Sequence, residues 1–155
     1  MTNNDILRRI RIIFDFNDTN IIEIFGLAGL EVTREQVIAW LKKDTDRAFQ
    51  KCSDKQLAVF LNGFINHRRG KKEGAQPEPE QEITNNIVFR KLKIALDLQA
   101  EDILEILELA DIHLSKHELS ALFRKPGHKH YRECKDSVLH GFLNGVQIMY
   151  ARDAE

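Results

Sequence analysis

The side chains of this 155-residue chain with the most chemical potential lie in its second half. Five histidines fall there, His113, His117, His128, His130 and His140, and His128-Lys129-His130 stands just ahead of Cys134. Three such donors within seven residues are raw material for a zinc site, which needs three or four of them converging tetrahedrally. The spacing does not match a known ligand motif: there is no His-Glu-x-x-His and no Cys-x-x-Cys. The matching positions of the first half hold Asp46, Ala48 and Cys52, so the donor set is not repeated. No metal and no cofactor are expected, and surface histidines are the simpler reading. Cys52 and Cys134 each precede an expected helix start by two residues, where a helix N-terminus can lower a thiol pKa. Unmodified cysteine is nonetheless among the most buried residue types, which points both thiols to the core. Cys134 with His128 or His130 is the Cys–His arrangement to test as a dyad, although nothing obvious would orient the imidazole.

Basic side chains form the second candidate. Arg8, Arg11, Lys42 and Lys43 have basic counterparts at Arg90, Lys93, Arg124 and Lys125. Arg8 and Arg11 are three apart and share one side of a helix. Two such faces suit an acidic protein surface, an anionic ligand or a nucleic-acid backbone. The competing reading is an ordinary solvated helix face. The net charge of −1 argues against bulk electrostatic binding to nucleic acid or anionic lipid.

These residues are positioned by a tandem duplication. Residues 2–64 fall on 84–146 with no gap, and Phe60-Leu61-Asn62-Gly63 recurs as Phe142-Leu143-Asn144-Gly145. Apolar spacing is helical throughout: Ile6, Leu7, Ile10 and Phe14 are matched by Val88, Phe89, Leu92 and Leu96. Asn3-Asn4 and Asn85-Asn86 stand where an N-cap belongs. Thr33 with Gln36, and Ser115 with Glu118, fit capping boxes. Asp54 and Asp136 are the expected caps of a last helix in each copy. Gly63 and Gly145 each cost about 1 kcal/mol relative to alanine inside a helix. Close approach of another helix offsets that cost, and the sequence suggests that Asn62-Gly63 and Asn144-Gly145 mark the contact between the repeats.

The expected fold is all-α: a tandem duplication of a roughly four-helix unit, packed as one pseudo-twofold body. The boundaries are 2–66 for the first repeat, 67–83 for a linker containing Gly74, Pro77 and Pro79, and 84–148 for the second repeat. A monomer and a homodimer both fit this plan, and the linker is long enough for exchange of repeats between chains. No segment has the apolar length of a membrane span. The two cysteines are too few for a disulfide framework, and a cytoplasmic setting is expected.

Three stretches carry a family resemblance. They are Asn3-Asn4-Asp5 leading into an Ile/Leu/Arg helix, Asn85-Asn86-Ile87 leading into Arg90-Lys91-Leu92-Lys93-Ile94-Ala95-Leu96, and Arg124-Lys125-Pro126-Gly127-His128-Lys129-His130-Tyr131-Arg132-Glu133-Cys134. With the doubled Phe-Leu-Asn-Gly they resemble the bacterial YehS family over essentially the whole chain. The resemblance implies a duplicated domain and a bacterial cytoplasmic protein, and it brings no catalytic residues. The functional expectation is a non-enzymatic helical interaction module that binds an acidic protein surface or an anionic ligand through paired basic faces. The alternatives are an enzyme or metal-binding protein using His128, His130 and Cys134, and a nucleic-acid-binding protein.

Overall fold

Six helices of this chain begin at a Thr, Asn or Ser whose side chain accepts from a free backbone N–H. The computed structural model describes residues 1–153. Among them the regular structure is eight α-helices, in two compact units. The first unit, Met1–Ile83, holds α1 (Asn3–Ile13), α2 (Asp18–Leu27), α3 (Arg34–Leu41) and α4 (Asp54–Arg69). The second begins at Thr84 and holds α5 (Asn85–Ala95), α6 (Ala100–Leu109), α7 (Lys116–Leu122) and α8 (Asp136–Asp153).

The caps differ from the sequence expectation in an instructive way. The α1 cap is Thr2: its hydroxyl accepts from the Asp5 N–H at 3.1 Å, and the Asp5 carboxylate accepts from the Thr2 N–H at 2.9 Å. Thr84 takes the same place before α5. Ser53 caps α4, so Asp54 is its first helical residue. Asp136 likewise lies inside α8 as its first residue. Thr33 with Gln36 and Ser115 with Glu118 form complete capping boxes.

The Asn pairs that were expected to cap instead reach across each unit. Asn4 is 1% exposed. Its amide donates to the Trp40 and Gln50 carbonyls, both at 2.9 Å, and its oxygen accepts from the Cys52 N–H at 3.0 Å. Asn86 repeats this on the Leu122 and Arg132 carbonyls at 3.0 and 2.8 Å and the Cys134 N–H at 2.9 Å. Asn3 donates to the Cys52 carbonyl and to Asp54; Asn85 does the same to the Cys134 carbonyl and Asp136. The first turn of α1 or α5 thus ties down the irregular connection between the following third and fourth helices. Asparagine suits the task because one short amide supplies two donors and an acceptor in a fixed plane.

The helix ends repeat with equal fidelity. Asp15 and Asp97 both sit at φ 54°, in the left-handed region that ends α1 and α5. The Phe16 N–H then reaches the Arg11 carbonyl at 2.9 Å, and the Leu98 N–H the Lys93 carbonyl at 3.0 Å. Aspartate tolerates this conformation better than most side chains, which accounts for its presence in both copies.

In each unit the second helix packs on the fourth. A Cβ on Gly63 would lie 1.9 Å from the Ile24 carbonyl oxygen, and one on Gly145 would lie 2.0 Å from that of Ile106. The sequence reading put these glycines between the repeats. They mark instead the crossings of α2 with α4 and of α6 with α8, each inside its own unit. Around the first crossing, Phe25 lies 5.2 Å from Phe60 and 5.3 Å from Trp40 between ring centroids. In the second unit, Phe89 lies 4.6 Å from Phe142 and 5.1 Å from Phe123.

Two stability measurements check these assignments. Gly145→Ala has a carbonyl in its way and should destabilise by about 1–3 kcal/mol, as overpacking does; an unchanged urea midpoint would contradict the backbone-to-backbone crossing. Asn86→Asp keeps the shape but aims a carboxylate at two carbonyls. Its loss should exceed that of Asn86→Ala, because an unpaired buried charge costs about 3–5 kcal/mol. Equal losses in the two variants would contradict the amide's role.

Candidate functional site

The connections held by the two clamps carry half of the eight candidate basic residues, the rest lying on α1 and α5, and they are not equivalent. In the first unit two of the candidate bases, Arg8 and Lys42, have acidic partners. Arg8 on α1 donates to the Lys42 carbonyl, to Asp5 at 2.6 Å and to Asp44 at 3.5 Å. Partial burial works against ionisation of Asp5, yet the Thr2 N–H and the Arg8 guanidinium hold its carboxyl below the usual range. Lys42 lies 4.0 Å from Asp46. Arg11 is half-buried beside Asp18, Ile38, Leu41 and Lys42, with its Nε lacking a hydrogen-bond partner. Lys43 is exposed.

In the second unit these three acids have no acidic counterparts. Ile87 stands for Asp5, Pro126 for Asp44 and His128 for Asp46. Residues 124–135 hold Arg124, Lys125, Lys129, Arg132 and Lys135 against Glu133 alone. Arg90 and Arg124 come together with Asn86, Phe123, Pro126 and Tyr131 around a small recess. The Lys93 ammonium lies 4.7 Å from the centroid of the Phe123 ring, a cation–π contact. Arg124 and Lys125 are exposed.

The histidines and Cys134 do not form one reactive cluster. His128 and His130 are exposed neighbours, with rings 5.5 Å apart and the His130 N–H donating to His128 Nδ1 at 3.0 Å. Cys134 is buried, and its thiol faces the Lys135 carbonyl at 3.7 Å. Among the described residues no three His, Cys, Asp or Glu side chains are grouped to hold a metal ion. Burial, then the Asp136 charge, pushes the Cys134 thiol up to about 11. Burial, then Asp54, pushes Cys52 up to about 12. A thiol so placed is neither an activated nucleophile nor a ready ligand.

A larger cavity of about 430 Å³ lies in the second unit, between α7 and the connection that follows it. Its apolar wall is Leu114, Ala121, Leu122 and Val138, and its polar rim includes His117, Lys129, His130, Arg132 and Lys135. The sequence reading did not single out this group as a site. A comparison of the two copies carries the signal: Trp40 is replaced by Leu122, Glu35 by His117, Ala48 by His130, Gln50 by Arg132 and Ser53 by Lys135.

The thiols yield a direct measurement. With folded pKa values near 11 and 12, fewer than about one in a thousand is thiolate at pH 8, and labelling by a thiol reagent should wait on unfolding. An acid whose folded pKa is raised stabilises the fold below its unfolded value, so this contribution should fade as pH rises from about 8.5 toward 11. Rapid stoichiometric labelling of native protein at pH 8 would contradict both statements.

The sequence matches the family described as "Protein of unknown function (DUF1456)" twice, over residues 3–70 and 85–151. The two matches coincide with the two helical units. The chain is 45% identical over 147 residues to "Uncharacterized protein YehS" from Escherichia coli (strain K12), covering 94% of each protein. No solved structure matches. Among the described residues no helix is long and apolar enough to cross a membrane. Two in-register family matches, one on each four-helix unit, and a full-length relative place the chain in the YehS family, a duplicated all-α family.

Proposed function

We propose that this protein is a non-enzymatic interaction module that docks an acidic protein surface on the second repeat's basic connection. One observation carries the reading: Asp44 and Asp46, the acids that pair with Arg8 and Lys42, are replaced by Pro126 and His128, while Arg8, Lys42 and Lys43 have basic counterparts at Arg90, Arg124 and Lys125. The first copy spends Arg8 and Lys42 on internal pairs with Asp5, Asp44 and Asp46. The second presents Arg124 and Lys125 in the open, beside Arg90. The paired-face picture therefore narrows to one face. The clamp by Asn86 supports it, because a connection held at the Leu122 and Arg132 carbonyls loses little freedom on binding. The buried Cys134 weighs against the enzymatic alternative.

The test is fluorescence polarisation with a labelled Glu/Asp-rich peptide at low salt. The triple reversal Arg90→Glu, Arg124→Glu, Lys125→Glu should weaken binding by about tenfold or more, since like charges at an interface repel. The first-repeat reversal Lys43→Glu, Arg47→Glu should change it far less. Equal effects from the two variants would refute the asymmetric reading. Tighter binding of single-stranded DNA than of the peptide would replace it with the nucleic-acid alternative.

A further inference from the structure

The cavity beside α7 is separate from the Arg90–Arg124 recess, although Leu122 borders both. At about 430 Å³ it falls within the roughly 300–1,000 Å³ typical of small-molecule sites. Its composition is divided. Leu114, Ala121, Leu122 and Val138 offer an apolar surface, and Lys129, Arg132 and Lys135 supply positive charge at its edge. Two carboxylates share the lining, Glu118 and Glu133. Glu118 is committed elsewhere: it accepts from the Ser115 N–H at 3.0 Å in the α7 capping box. His117 and His130 add two imidazoles, with ring centroids 6.3 Å apart.

The wall is held in place before any ligand arrives. The Arg132 N–H donates to the Ala121 carbonyl at 3.1 Å, and the Arg132 carbonyl accepts from Asn86 at 2.8 Å. The duplicated fold does not itself require this lining. The first copy makes the same two bonds, from the Gln50 N–H to the Ala39 carbonyl and from the Asn4 side-chain amide to the Gln50 carbonyl. Yet it has a bulky Trp40 at the position of Leu122, and no Lys or Arg at those of Arg132 and Lys135. One exchange runs the other way, Lys51 to Glu133. A smaller apolar side chain and two added cations converge on one cavity in one copy, and the bonds that hold the connection form in the other copy without them.

We infer that this cavity binds a small amphipathic anion, a short apolar body bearing one carboxylate or phosphate head. The apolar wall takes the body, and Arg132, Lys135 and Lys129 take the head. Arginine and lysine both serve this role, arginine by a two-pronged hydrogen bond and lysine as a point charge.

Isothermal titration of the full chain with decanoate and with decyl phosphate tests it, with decanol and inorganic phosphate as controls. Saturable binding by at least one amphipathic anion is expected, at least tenfold tighter than either control, and the better probe names the head. The double variant Arg132→Gln, Lys135→Ser restores the first-repeat residues and should weaken that binding at least tenfold. Leu122→Trp should abolish it by filling the cavity; if circular dichroism shows that this variant is unfolded, the double variant decides. The reversal at Arg90, Arg124 and Lys125 should leave decanoate affinity within about twofold, which separates this site from the docking face. Failure of both anions to bind, equal binding of decanol or of inorganic phosphate, or unchanged affinity in the double variant would each overturn the inference.

Discussion

The structure depends on one side-chain amide in each unit. Asn4 and Asn86 each satisfy three backbone groups: a carbonyl in the last turn of the third helix, and a carbonyl and an N–H of the irregular connection that follows it. The connection is largely exposed, but its groups that face the buried amide must find partners there, or each costs about 1–3 kcal/mol. Water cannot reach Asn4, and the amide substitutes for it. The neighbouring Asn3 or Asn85 adds bonds to the same connection and to the first residue of the next helix. Three elements distant in sequence thereby meet at one dipeptide. This is a stronger reason for a repeated Asn-Asn than helix capping, which Thr2 and Thr84 perform.

The second constraint is the glycine crossing. Gly63 and Gly145 let the backbone of α4 or α8 rest on a carbonyl of α2 or α6. Large apolar side chains then surround the contact, with Phe25, Phe60, Ile24 and Leu61 fully or almost fully buried in the first unit. The two constraints act on different parts of the fourth helix, its middle and its start. The crossing sets its position against the second helix, and the asparagines fix how the chain enters it. Both copies keep the residues that do this, down to the aspartates in left-handed conformation at Asp15 and Asp97.

Much of this plan was legible in the sequence because it rests on local rules. Helical periodicity placed the elements, and the hydroxyl caps at Thr33 and Ser115 and the duplication itself were read directly. Distance defeated the rest. An asparagine at a helix start looks like a cap, since capping is the local use of that residue type; the partners of Asn4 are 36 to 48 residues away. The glycine crossing was inferred from helix propensity, but its partner strand of chain was not, and the contact was put between repeats instead of against Ile24 and Ile106. The cavity beside α7 escaped attention for a different reason. Attention to what the copies share selects scaffold, whereas Leu122, Arg132 and Lys135 are informative because the copies differ there.

That difference follows from the clamp. Asn4 and Asn86 hold their connections only through main-chain atoms: two carbonyls and one N–H in each copy. Main-chain groups are present whatever the side chain, so the side chains between the anchor points are released from any structural duty. Gln50 and Arg132 show this directly, since both give the same carbonyl to the same asparagine. Cys52 and Cys134 mark the limit of the freedom: their side chains enter the core, and the residue type is retained. Between those anchors one copy turned acidic and basic groups toward each other, through Arg8 with Asp44 and Lys42 with Asp46. The other lost both acids and gathered positive charge around a recess. A scaffold fixed through main-chain groups can carry two differently charged connections without change of fold, one with acids paired to its bases and one more strongly cationic.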